Sequence, residues 1–198
     1  MNWETMLCVG DSITIGARSY LGYPEYLGAL LAKHTNSEWN VINNAISGYT
    51  TCEIMRVVSE RHSNIQQQNP SLATILIGTN DVKKKTRYDL FEIAYQQLLI
   101  KVKLLLPCNN IVLIKIPRFT KGVKYPYTYQ MNEEVTKYNK IITGLSKKYQ
   151  TKLLELTVLD AHVFDGVHLN ETGSEDVAKQ ILPVILKDKG YEGTADQS

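Results

Sequence analysis

Four short stretches of the chain concentrate side chains able to do chemistry. They are Gly10-Asp11-Ser12-Ile13-Thr14, Asn43-Asn44-Ala45-Ile46-Ser47-Gly48, Gly78-Thr79-Asn80-Asp81 and Asp165-Gly166-Val167-His168. Between them they hold each part that a serine nucleophile needs: a hydroxyl, a base to take its proton, an acid to orient the base, and donors for a developing oxyanion. Ser12 supplies the hydroxyl and His168 the base. Asp165, three residues before His168, can hold the imidazole in the tautomer whose other nitrogen accepts. The backbone N–H groups of Ser12 and Gly48 and the side-chain amide of Asn80 are candidate oxyanion donors.

Other chemistries fit these stretches less well. Gly10 and Gly16 bracket a turn, but five residues separate them and Ala17-Arg18 follow, whereas a P-loop needs four and then Lys-Ser or Lys-Thr. There is no Gly-x-Gly-x-x-Gly and no Gly-x-Ser-x-Gly elbow. His162, Asp165 and His168 with Asp160 can be drawn as a metal site, the main chemical rival, although the serine reading already explains two of them. Structural roles compete as well. Ser12 can cap a helix, Gly48 can serve a positive φ, Asp81 can form a turn, and Asp11 can brace its loop.

Taken in order along the chain, the four stretches resemble the blocks of the SGNH hydrolases, also called the GDSL esterase family. Gly10-Asp11-Ser12 looks like the nucleophile block, Gly48 the glycine block, Gly78-Thr79-Asn80-Asp81 the asparagine block and Asp165-x-x-His168 the terminal block. Gly-Asp-Ser alone arises by chance in roughly one chain of this length in twenty; the ordered set is far more specific. One departure is Ala45, where many members carry glycine. The resemblance implies a flavodoxin-like α/β/α sandwich with a parallel sheet of order 2-1-3-4-5, and hydrolysis of esters or thioesters without a cofactor or metal. The expected substrate is a short acyl ester, such as acetyl, of a carbohydrate or small alcohol, with lysophospholipase or thioesterase activity as runner-up. A metal hydrolase and an inactive binding module remain further options.

The elements that must position these residues follow from periodicity. Short runs rich in Val, Ile and Leu alternate with helical stretches, the signature of βαβ units. Strands are expected at 5–9, 39–43, 72–77, 111–116 and 152–156, which sets each reactive stretch at a strand's carboxyl end, where open α/β sheets bind ligands. Phe91, Ala94, Leu98, Val102 and Leu105 line one helix face, with Thr86 and Asp89 as its capping box and Pro107 as its stop. Met131, Val135, Tyr138, Ile142 and Leu145 line a second. A third helix follows Pro24 with Leu27, Leu30 and Leu31 inward, and a last one follows Asn170, with a kink or early end at Pro183. Residues 117–129, dense in aromatic and basic side chains, can wall the substrate pocket or pack on the surface. Asp11, Tyr49, Arg118, Phe119 and Tyr125 are the pocket candidates, and Tyr20, Tyr23 and Tyr26 invite the same question. His34 and His62 are expected to face solvent.

Composition sets the frame. The 198 residues, 43% hydrophobic, suit one domain over 1–190 followed by a polar tail at 191–198. A net charge of +2 lacks the basic excess of a nucleic-acid binder. Lysines interrupt the most apolar runs, so no membrane span is expected. No secretion signal is evident, which points to the cytoplasm, where Cys8, Cys52 and Cys108 remain thiols.

Overall fold

The computed structural model describes residues 2–17, 20–107 and 109–187. Arg18, Cys108 and the expected polar tail lie outside them. Five strands, β1 (Asn2–Gly10), β2 (Ser37–Ala45), β3 (Leu72–Leu76), β4 (Ile111–Ile114) and β5 (Lys152–Leu154), form one parallel sheet of order β2-β1-β3-β4-β5. The helices between them are α1 (Ser12–Ile15), α2 (Tyr23–His34), α3 (Thr51–Glu60), α4 (His62–Gln67), α5 (Thr79–Lys84), α6 (Tyr88–Leu105), α7 (Asn132–Tyr149) and α8 (Glu171–Leu186). Helix α2 packs with α8 and β2, while α3, α6 and α7 pack side by side, giving the three layers expected of a flavodoxin-like sandwich.

The centre of the sheet is dry. Met6–Val9, Leu72–Ala73, Ile75 and Ile111–Ile114 are fully buried, as strands covered on both faces must be. Strand β1 begins earlier than its apolar run because Asn2–Thr5 pair with β2 alone; β3 joins only at Met6. The helix stripes at 91–105 and 135–145 are buried as their spacing requires.

Three local expectations are corrected. Helix α6 is capped at Arg87, not through a Thr86–Asp89 box, because Asp89 is held instead by the Arg87 guanidinium at 2.7 Å. Helix α8 runs on past Pro183 to Leu186. Strands β4 and β5 each end two residues early, where the chain turns toward the site. Helix α3 was not expected, yet its start is written in the sequence: Thr50 and Glu53 form a capping box.

Candidate active site

The nucleophile candidate stands where β1 gives way to α1. Asp11 is the N-cap, its Oδ1 accepting from the Ile13 N–H at 3.0 Å, and Ser12 opens the helix with 6% of its surface exposed. From the far end of the chain, a loop pinched by a bridge between Val163 and Leu169 brings His168 to it. Asp165 Oδ1 accepts from the N–H groups of Val167 (3.0 Å) and His168 (2.8 Å), and its Oδ2 lies 2.8 Å from His168 Nδ1. An ionised carboxylate only accepts, so Nδ1 carries the proton and Nε2 presents its lone pair. That nitrogen sits 3.0 Å from Ser12 Oγ. Burial pushes the Asp165 carboxyl up, but hydrogen bonds from the His168 N–H and ring, with that from Val167, outweigh it and hold the group below its ordinary range.

The loop itself is fixed from outside. Gly166 has φ +83° and a Cβ there would meet Val123 Cα at 2.2 Å, so only glycine lets the turn tuck under residues 117–131. That segment answers with two donors: Thr120 N–H to the Gly166 carbonyl and Lys124 N–H to that of Asp165, both at 3.0 Å.

The loops that follow β2 and β3 are stapled together. Asn80 Nδ2 donates to the Tyr49 carbonyl at 3.1 Å, and Asp81 Oδ2 accepts from both the N–H (2.8 Å) and the hydroxyl (2.9 Å) of Thr51. Asp81 is thereby a brace, its carboxyl raised by burial. Gly48 adopts φ +81° with nothing within 4 Å of a built Cβ, so conformation rather than crowding calls for glycine. The N–H groups of Ser12 and Gly48 have no acceptor among the described residues, and Asn80 keeps a second amide hydrogen. Unsatisfied donors of this kind are suited to a developing negative charge.

The pocket candidates are dispersed. Asp11 is fully buried, and burial pushes its carboxyl up to about 7, so it braces the turn and offers no wall. Phe119 is buried against Tyr127. Arg118 lines a separate hollow with Lys115, Asn139 and Glu155. Tyr125 is 95% exposed, and Tyr49 is half-buried beside Gly48. Of the early tyrosines, Tyr23 is core, bonded to Thr74 at 2.8 Å, Tyr26 reaches Glu171, and Tyr20 alone comes to the site. There it tilts against Phe164, which stacks on the His168 ring with centroids 5.8 Å apart and planes 15° from parallel. Tyr127 meets the same imidazole edge-on at 6.5 Å; burial, then the negative charges of Asp11 and Asp165, push its hydroxyl up to about 12. The Lys83 ammonium lies over Tyr127. Sequence reasoning missed Phe164, although it immediately precedes Asp165, and took Tyr127 only as part of its segment. His162 Nδ1 lies 3.6 Å from Asp176 Oδ2, and among the described residues no three His, Cys, Asp or Glu side chains converge as a metal ligand set. No helix among them is long and apolar enough to cross a membrane.

Comparison with known proteins follows the same lines. The model of the GDSL-like Lipase/Acylhydrolase family matches residues 8–175. Axe2, an acetylxylan esterase from Geobacillus stearothermophilus, superposes with a TM-score of 0.71 at 22% identity, over 98% of this chain and 97% of its own. The acetyl xylan esterase AlAXEase gives 0.71 at 21% identity, over 91% and 99%. A lipase/acylhydrolase from Enterococcus faecalis gives 0.76 at 18% identity, over 97% and 100%. At these identities the likeness speaks for the fold. No curated protein matches the sequence.

Proposed function

We propose that this chain, which belongs to the GDSL-like lipase/acylhydrolase family, cleaves its esters through a covalent intermediate on Ser12. Membership makes it a hydrolase of ester bonds. The observation that carries the mechanism is the relay from Ser12 Oγ to His168 Nε2 at 3.0 Å and from His168 Nδ1 to Asp165 at 2.8 Å. Ser12 Oγ attacks the acyl carbon as its proton passes to Nε2; the carbonyl oxygen becomes an oxyanion facing the N–H groups of Ser12 and Gly48 and the Asn80 amide. Collapse breaks the bond to the alcohol, which leaves with the proton from Nε2. Water, deprotonated by His168, then attacks the acyl-enzyme, and Ser12 takes its proton back as the acid departs. Asp165 keeps the imidazole oriented and steadies its charged form throughout.

The substrate we assign is a short-chain ester, in the first instance acetyl on a carbohydrate hydroxyl. Two acetylxylan esterases share the fold, and the rings of Tyr20 and Phe164 beside His168 offer a face on which a sugar can stack. The test pairs a phosphonate probe with a substrate panel. The probe labels Ser12 stoichiometrically, Ser12→Ala abolishes label and turnover, and acetylated sugars outrun long-chain esters and thioesters. Labelling at another residue overturns the mechanism; a preference for long acyl chains overturns the substrate.

A further inference from the structure

Helix α6 is the middle helix of its layer, flanked by α3 and α7. Its inward stripe is buried, but its outward face is not polar: Leu90, Ile93, Ile100 and Leu104 are 52%, 54%, 39% and 68% exposed. At 100° per residue they fall, with exposed Gln97, within an arc of about 80°. Four of the twelve exposed large hydrophobic side chains among the described residues thus share one face of one helix. Water-facing apolar rows of this kind mark interaction surfaces.

We propose that this face is the two-fold interface of a homodimer, α6 packing antiparallel on α6 of a second copy. The pattern reads nearly the same in both directions, its spacings of 3, 4, 3 and 4 becoming 4, 3, 4 and 3. Reversed about Gln97, it sets Leu90 opposite the second copy's Leu104 and Ile93 one residue, about 1.5 Å, from its Ile100, while Gln97 meets Gln97 at the axis. An isologous contact requires such self-complementarity. The flank lies within two residues, about 3 Å, of that register: Asp89 falls near Lys103 of the second copy, twice, with Gln96 near Gln96 between them. A parallel pair would instead set Asp89 beside Asp89 and Lys103 beside Lys103, so charge favours the antiparallel arrangement. The four apolar side chains expose on the order of 400 Å² per chain, about half of the ~800 Å² a partner contributes to an interface of standard size. The outward faces of α3 and α7, with exposed Arg56, Glu60 and Lys148, supply the polar remainder.

None of these residues belongs to the site around Ser12, so esterase activity reports folding independently of assembly. Sedimentation of the full chain from micromolar to submillimolar concentration is expected to show a monomer–dimer equilibrium. Leu104→Lys and Ile93→Lys each raise the dissociation constant at least about tenfold with activity kept. Asp89→Lys weakens the dimer and Asp89→Lys with Lys103→Asp restores it. Under mild oxidation Gln97→Cys cross-links to a dimer that the wild type, with its native thiols, does not form. A monomeric wild type throughout that range overturns the proposal, as does a dimer that ignores Leu104→Lys and fails to cross-link through Gln97→Cys.

Discussion

Replacing Asp165 by asparagine changes little in shape and nearly everything in proton bookkeeping. Oδ1 still accepts from the Val167 and His168 N–H groups at 3.0 and 2.8 Å, so the turn survives. The group facing His168 Nδ1 across 2.8 Å, however, becomes an NH₂ donor. Nδ1 must then accept, the ring proton moves to Nε2, and Nε2–H points at Ser12 Oγ, 3.0 Å away, unable to receive its proton. Where a catalytic imidazole is held in the wrong tautomer the loss is about 10⁴-fold in kcat, equivalent to about 5.4 kcal/mol of barrier. Asp165→Ala provides the contrast. It removes the acceptor of two backbone N–H groups, each costing about 1 kcal/mol or somewhat more, so it lowers Tm by several degrees where Asp165→Asn does not. Steady-state hydrolysis of 4-nitrophenyl acetate, with circular dichroism melts on the same samples, separates the two effects. A folded Asp165→Asn within tenfold of wild-type kcat would refute the assignment of His168 as base and Asp165 as its orienting partner.

Two further outcomes follow from the same geometry. Asn80→Ala lowers kcat by about 10²–10³ with KM nearly unchanged, while the lost bond to the Tyr49 carbonyl moves Tm by no more than about 4 °C; a loss confined to KM would remove Asn80 from the oxyanion site. For Asp11, the folded carboxyl titrates near 7 against 3.8 for the free group, so its contribution to stability is full below 3.8 and is lost as pH rises toward about 7. Asparagine does not titrate, so the Tm of Asp11→Asn minus that of wild type grows from pH 4 to pH 7 and is level above; a difference independent of pH contradicts a neutral, buried Asp11.

Features governed by local pattern were legible in the sequence. The apolar runs of β1 and β3 and the helical stripe from Phe91 to Leu105 depend only on which neighbours along the chain are apolar, and they form as read. The spacing of Asp165 and His168 is equally local, since a three-residue turn lets one carboxylate bind both the backbone and the ring of the histidine. Capping was less legible: Thr86 and Asp89 have the right spacing, but Arg87 competes for Asp89 at shorter range, while the true box at Thr50 and Glu53 went unread. The pocket wall was least legible. Phe119 and Tyr125 belong to one aromatic segment, and only its tertiary path decides that the first is buried and the second stands in water.

That path also explains how a base on an irregular loop can be aimed to within hydrogen-bonding distance of a serine 156 residues away. The loop at 164–168 has no ladder of its own beyond one bridge, so its position is inherited. Asn139 on α7 binds Ile116 through both N–H and carbonyl, at 2.8 and 2.9 Å, and Asn132, one end of the same helix, binds Phe119 in the same double fashion. The segment so clamped reaches Gly166 and Asp165 through Thr120 and Lys124, while Tyr127 lies edge-on to the imidazole. Asn132 is buried, and cutting its amide would orphan two buried backbone groups at once. Helix α7 thus positions His168 without touching it, because the links between them are hydrogen bonds to backbone groups, made doubly by the Asn132 and Asn139 amides, and one packed ring.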